Sequence, residues 1–132
     1  MNYKVICMAT IALTLETFRV SAQSINVVRT LPGYACMSLA KLWDGIGPMP
    51  PRVPVYEGPE PSAPQAGFAG PSIIVRSPIQ VTGGRAPMLW PNGRTVWISA
   101  HDFVPWHVAS DPHATCKPAL LSNGIYGFST TP

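Results

Sequence analysis

Charged residues are scarce in this sequence: Asp, Glu, Lys and Arg make up 11% of the 132 residues, and the formal net charge is +3. So small a charge, spread along the chain rather than clustered, excludes the basic surface by which proteins bind nucleic acids. The 46% of hydrophobic residues excludes an intrinsically disordered chain. We therefore expect a folded domain that does not bind nucleic acid.

Long helical segments are also missing. The chain contains 11 Gly and 16 Pro residues, and both residue types interrupt helices. This composition excludes a helical bundle and a coiled coil. Once an export signal is removed, about 110 residues remain, which is enough for one hydrophobic core. We predict a single all-β domain whose short strands are joined by turns.

No run of apolar residues approaches the roughly 18 residues that a transmembrane helix needs. The apolar run at residues 5–15 is shorter, follows Lys4 and precedes small residues at 20–22. This order is typical of a secretory signal peptide. We predict that residues 1–22 are removed before Gln23, and that the protein is exported to the periplasm or the extracellular medium without a transmembrane anchor. The alternative is a buried N-terminal strand or helix.

Cysteine is rare, with only Cys7, Cys36 and Cys116 in the chain. Cys7 lies within the predicted signal peptide, so its removal leaves an even number of cysteines in an oxidising compartment. We predict a Cys36–Cys116 disulfide, which would tie together the two ends of the domain. The alternative is a pair of free thiols.

An N-terminal arm is expected at residues 23–52. It runs into a segment, residues 48–64, with seven prolines, and these fix an extended backbone. Two Pro-x-x-Pro patterns in this segment would also suit a ligand of an aromatic groove, but a stiff connection is the favoured interpretation. Within the arm, a helical spacing of apolar residues indicates a short helix or an extended turn at Leu39, Leu42, Trp43 and Ile46.

The rest of the chain has the pattern of short strands separated by turn residues. Strands are predicted at residues 53–56, 65–69, 72–77, 85–90, 94–99 and 104–108, with one helical turn at 100–103. Asn92-Gly93 and Asn123-Gly124 each stand between two apolar segments. An Asn-Gly pair in this setting is typical of a tight β-hairpin, because both residues tolerate positive φ.

Residues 53–105 resemble the bacterial SH3-like domains, which are small exported barrels of five or six strands. The segments that carry the resemblance are VPVYEGPEPSAPQAGFAG, SIIVRS, MLWPNGRTVWIS and AHDFVP. They are similar to the family's opening strand and turn, its next apolar strand, its distal hairpin and its closing turn. The chain departs from the family at Val96, where a Gly usually precedes the hairpin Trp. The resemblance implies a barrel at residues 53–108. Outside the family pattern we expect a C-terminal extension at 109–132, with its hairpin at Asn123-Gly124.

The resemblance further implies a non-catalytic binding module with a shallow aromatic groove. By matching position, Tyr56 and Phe103 would line that groove, and we place His101 and Trp106 with them. Flat aromatic faces bind extended peptides or sugars at little entropic cost. We expect a monomer that binds an extended peptide or a cell-wall fragment, such as peptidoglycan or an envelope protein. The alternative is that these aromatic residues are ordinary core. We expect Trp90 and Trp97 to pack against the core or the terminal extensions.

Two other functions stay open. One is a structural or accessory subunit that binds a partner protein and has no small ligand of its own. The other is a small metal-dependent enzyme, for which His101, His107 and His113, with Asp111, would have to converge on a metal such as Zn²⁺. The sequence lacks the Gly-x-Ser-x-Gly and His-Glu-x-x-His motifs and a complete phosphate-binding glycine motif. We therefore predict no enzymatic activity, no metal and no cofactor.

Overall fold

The computed structural model describes residues 24–42, 45–50 and 52–131. The predicted signal peptide and Trp43 lie outside this part of the chain. Ten strands are present, and no helix occurs among the described residues. The strands are β1 (Val27–Thr30), β2 (Tyr34–Leu39), β3 (Pro54–Tyr56), β4 (Gln65–Phe68), β5 (Ser72–Arg76), β6 (Arg85–Leu89), β7 (Thr95–Ser99), β8 (Phe103–Pro105), β9 (Thr115–Leu121) and β10 (Tyr126–Thr131).

The strands form two antiparallel sheets. The larger sheet has seven strands in the order β4-β3-β7-β6-β5-β2-β8, and the smaller sheet has the order β1-β9-β10. The all-β class predicted from composition is thus confirmed. The larger sheet begins at β4 and ends at β8, and no pairing between these two strands closes it among the described residues.

One face of the larger sheet curves around the main hydrophobic core. Alternation along β5 sends Ile73 and Val75 into this core, while Ile74 points to the opposite face. Strand β7 adds Val96 and Ile98, both fully buried. The core is completed by Leu39, Val55, Ala86 and Met88. Because both of its faces are buried, β5 has apolar residues at consecutive positions, Ile73 to Val75.

The opposite face of the larger sheet packs against the smaller sheet. Ile74, Leu89 and Leu31 form a second buried cluster, against which residues of β9 and β10 pack. The Cys36–Cys116 disulfide joins β2 to β9 and therefore bonds one sheet covalently to the other. The predicted disulfide is confirmed, and its role is to hold the two sheets together.

Both predicted Asn-Gly hairpins are present. Strand β6 pairs with β7 around Asn92-Gly93, and β9 pairs with β10 around Asn123-Gly124. In each turn the Asn side chain accepts a hydrogen bond from the backbone N–H two residues later, from Arg94 or Ile125, at 3.0 Å. The sequence thus places these turns because Gly supplies the positive φ and Asn supplies a local acceptor.

The segment expected to be an arm supplies a strand of the larger sheet. Strand β2 lies between β5 and β8, with Met37 opposite both Ile73 and Pro105. The helix considered around Leu39 is therefore not formed, since Leu39 ends a strand. The helical turn expected at residues 100–103 is instead a hydrogen-bonded turn, in which the Asp102 N–H donates to the Ser99 carbonyl.

A prediction follows from the two Asn-Gly turns. Gly93 and Gly124 have φ values of +88° and +80°, but a methyl group at Gly93 would lie 3.0 Å from Cε2 of Tyr126, whereas one at Gly124 would meet no atom within 4 Å. Gly124→Ala should cost about 1 kcal/mol of unfolding free energy from backbone strain alone. Gly93→Ala should cost more, because it also displaces Tyr126. Urea unfolding checks this, and equal losses would contradict it.

Candidate functional site

The first residue of the predicted groove, Tyr56, is covered on one side by a cation. The guanidinium carbon of Arg85 lies 3.6 Å from the centre of the Tyr56 ring. The same Arg85 donates through Nη1 to the carbonyl oxygens of Gly58 and Glu60, at 3.0 and 2.7 Å. Arg85 thus fastens the β3–β4 loop to the sheet, and Tyr56 serves as its stacking platform.

A substitution tests this assignment. We expect Arg85→Lys to lower the free energy of unfolding by about 1 kcal/mol, because an ammonium cannot stack on Tyr56 and reach both carbonyls in the same way. Arg94→Lys is the matched control, since Arg94 forms only an exposed ion pair with Glu57 at 3.6 Å, and such pairs contribute little. In thermal unfolding, Arg85→Lys should melt at a lower temperature than Arg94→Lys. Identical melting curves would show that Arg85 does not stabilise the β3–β4 loop.

The other three predicted groove residues do not line a common cavity. Phe103 is half-buried on β8 and packs against the main core. His101 is exposed and, with Arg52, lines a cavity of about 220 Å³. Trp106 lines a different cavity, of about 530 Å³, beside the disulfide. Neither cavity is lined by Tyr56 or Phe103, so the structure does not bring the four residues together.

The histidines form local hydrogen bonds and do not converge on a common metal site in the described part of the chain. The backbone N–H of His107 donates to the Ser38 hydroxyl at 3.3 Å, and a ring nitrogen of His107 lies 3.2 Å from the Pro105 carbonyl oxygen. Asp111 accepts a hydrogen bond from the backbone N–H of His113 at 3.0 Å. Within the described ranges, no group of three or more His, Cys, Asp or Glu residues could hold a metal ion.

A different set of aromatic residues does come together, where the larger sheet meets β10. We call this site the aromatic groove; its volume is about 320 Å³. Ile74 and Leu89 form part of its floor, and Ser72 lies at its side. The groove is completed by the aromatic and proline residues Phe68, Trp90, Pro91, Tyr126 and Phe128.

Local backbone geometry positions these side chains. Gly67 lies on β4 beside the Trp90 ring, and a Cβ atom there would be 3.2 Å from Cζ2 of Trp90. The backbone N–H of Tyr126 donates to the Pro91 carbonyl at 3.0 Å, which holds β10 against the β6–β7 turn. Phe68 is 47% exposed. Its ring, 5.5 Å from the guanidinium carbon of Arg52, remains accessible to a ligand.

The aromatic groove continues along the junction of the two sheets. Leu89 and Tyr126 line both the groove and a second cavity of about 260 Å³. Leu31, Pro32 and Tyr34 line this second cavity and also the cavity beside the disulfide. The three cavities therefore lie next to one another along this junction, and we call the row of cavities the seam.

Two cations line the seam, Arg29 in its middle cavity and Lys117 beside the disulfide. Both are exposed, and neither forms an ion pair with any described residue. No acidic side chain lines any of the three cavities. The seam is thus rich in aromatic side chains, and the charge on its lining is positive.

The sequence did not identify this set as a site, because Trp90 was expected to pack against the core or the terminal extensions. Trp90 does pack against the main core, but it also lines the groove. One signal was available: Tyr126 and Phe128 are two residues apart on a strand, so they share a face. That alternation indicates a common surface but does not identify its opposite wall, which β4 and β6 supply.

Comparison of the chain with models of protein families, with curated proteins and with solved structures found no significant match. In the part of the chain that the structure describes, no helix is long and apolar enough to cross a membrane.

Proposed function

We propose that the protein is an exported, non-catalytic binding module that engages an extended peptide or a cell-wall fragment through the aromatic groove. The observation that carries the proposal is the open, mainly apolar groove lined by Phe68, Trp90, Tyr126 and Phe128. Rigid aromatic rings around an apolar cavity bind a ligand by excluding water, and they lose little conformational freedom when they do so.

Export is supported by the disulfide. Structural disulfides persist in oxidising compartments and are rare in the cytosol. The Cys36–Cys116 bond lies in the folded domain and joins its two sheets, as expected of a protein that matures outside the cytosol. The cleavable signal at residues 1–22 remains part of the proposal.

We also propose that strands β3 to β8 are a variant of the bacterial SH3-like barrel. In support, the hairpin β6–β7 has Asn92-Gly93 at its tip, and a tight turn at residues 100–102 leads into the short strand β8. Amide hydrogen exchange in solution provides the test. Slow exchange at both edge strands, β4 and β8, is expected of a barrel that closes, whereas fast exchange there would leave an open, curved sheet.

The groove is tested by retention on isolated cell-envelope material. Oxidised wild-type protein is compared with Phe68→Ala, which removes an exposed ring of the groove, and with the control Ile79→Ala. Ile79 is 42% exposed in the β5–β6 connection and does not line the groove. We expect Phe68→Ala to lose most of its retention while Ile79→Ala keeps it, with unfolding midpoints of both variants close to wild type. Equal retention of the two variants would sink the proposal.

The alternative function, an accessory subunit covered by a partner protein, has one observation in its favour. Strand β1 is an edge of the smaller sheet, and three exposed apolar residues lie in it or just before it, Ile25, Val27 and Val28. Such an edge is suited to pairing with another chain. Retention that is lost in Val28→Lys but kept in Phe68→Ala would favour this second function.

A further inference from the structure

We propose that the ligand of the seam is an extended acidic peptide, with an apolar side chain in the aromatic groove and carboxylates beside Arg29 and Lys117. This inference rests on the proposed function and deepens it, because it names the ligand class. Three properties of the seam carry the inference: its row of adjacent cavities, its charge and the chemistry of its apolar end.

The row of adjacent cavities sets the shape of the ligand. The seam contains cavities of about 320, 260 and 530 Å³ that share lining residues. Tyr126 stands between the first two, and Tyr34 between the second and the third. A compact small molecule would fill only one cavity, whereas an extended chain can occupy all three.

The charge of the seam sets the charge of the ligand. Arg29 and Lys117 are exposed cations on its lining, and among the described residues the one ion pair is Arg94 with Glu57. With no acid on the lining, a carboxylate of a bound chain would meet only attractive charges there. A basic ligand would meet repulsion at both positions.

The apolar end distinguishes a peptide from a glycan. Of the residues that line the aromatic groove, Ser72 has the only aliphatic hydroxyl, and the remaining polar side-chain atoms are those of Tyr126 and Trp90. A sugar ring has several hydroxyls, and those left unpaired in an apolar cavity would weaken binding. A Leu, Phe or Trp side chain needs few or no hydrogen-bond partners in such a cavity, because its surface is entirely or mainly apolar.

The experiment is a selection of displayed random peptides on the oxidised, full-length mature protein. We expect the pool selected on wild type to be enriched in Asp and Glu together with a large apolar residue. The same selection on Arg29→Gln/Lys117→Gln should lose the acidic enrichment, whereas the control Arg76→Gln should keep it. Arg76 is exposed at the end of β5 and lines none of the three cavities.

A selected peptide is then measured by fluorescence polarisation against its Glu→Gln counterpart. We expect the acidic form to bind about fivefold more tightly, as two partly exposed ion pairs would give. Equal affinities of the two forms would overturn the inference. If Phe68→Ala nevertheless weakened both, the aromatic groove would remain the binding site. A pool with no enrichment, or binding of soluble wall glycans but of no peptide, would also overturn the inference.

Discussion

Removing the disulfide should lower the free energy of unfolding by about 4 kcal/mol, on the model in which the bond restricts the unfolded chain. Cys36 and Cys116 are separated by 80 residues, so the bond closes a long loop whose restriction in the unfolded state is large. The double variant Cys36→Ala/Cys116→Ala is compared with wild type by urea unfolding monitored by tryptophan fluorescence. Because stability of the whole domain is on the order of 5–15 kcal/mol, this loss is expected to be visible as a marked fall in midpoint.

Reductant provides the control for this prediction. It should destabilise the wild type to the level of the double variant and leave the double variant unchanged. The bond joins β2 to β9, so amides of the smaller sheet are expected to exchange faster than those of the larger sheet once it is lost. Superimposable unfolding curves in the presence and absence of reductant would show that the two sheets hold together without it.

The elements that could be predicted from the sequence are those with local causes. The turn at Asn92-Gly93 requires a positive φ at Gly93 and a hydrogen-bond acceptor at Asn92, and these two adjacent residues meet both requirements. The disulfide could also be predicted, because only two cysteines lie outside the predicted signal peptide. Neither inference needed knowledge of which strands become neighbours.

Strand β2 could not be placed from its sequence, because it is covered on both faces. Met37 and Leu39 face the main core, whereas Tyr34 packs against the second cluster and Cys36 bonds to β9. A strand buried on both faces loses the alternation that identifies a strand. A helical spacing that begins at Leu39 and continues through Leu42 and Ile46 then favoured a helix in its place. Only the docking of the smaller sheet separates the two interpretations.

The aromatic groove could not be predicted from the sequence for a related reason. Its walls come from β4, β6 and β10, which are far apart in the chain and meet only through sheet packing. Tyr56 was a reasonable candidate as an aromatic residue on the opening strand, but the sequence did not reveal that Arg85 would stack on it. Long-range neighbours decide whether an aromatic residue is structural or available, and a single sequence does not specify them.

Ile98→Ala should be the most destabilising single truncation among the core residues, at about 3 kcal/mol or more. Ile98 has an exposed fraction of 0% and is one of the largest fully buried side chains, together with Val55, Val75 and Val96. Its removal leaves a cavity, and β7 is held between β3 and β6 by backbone pairing and cannot collapse to fill it. The measurement is urea unfolding of the oxidised protein.

Thr95→Ala is the matched control, because Thr95 is exposed on the same strand and should change stability by less than about 0.5 kcal/mol. The two sheets share one cooperative unit if Ile98→Ala also speeds amide exchange in β9 and β10, which lie on the far side of Ile74 and Leu89. Exchange that increases only in the larger sheet would instead show that the smaller sheet and its half of the seam are stabilised independently. A loss below about 1 kcal/mol for Ile98→Ala would contradict the burial of Ile98 in a rigid core, because truncating such an isoleucine is expected to cost more.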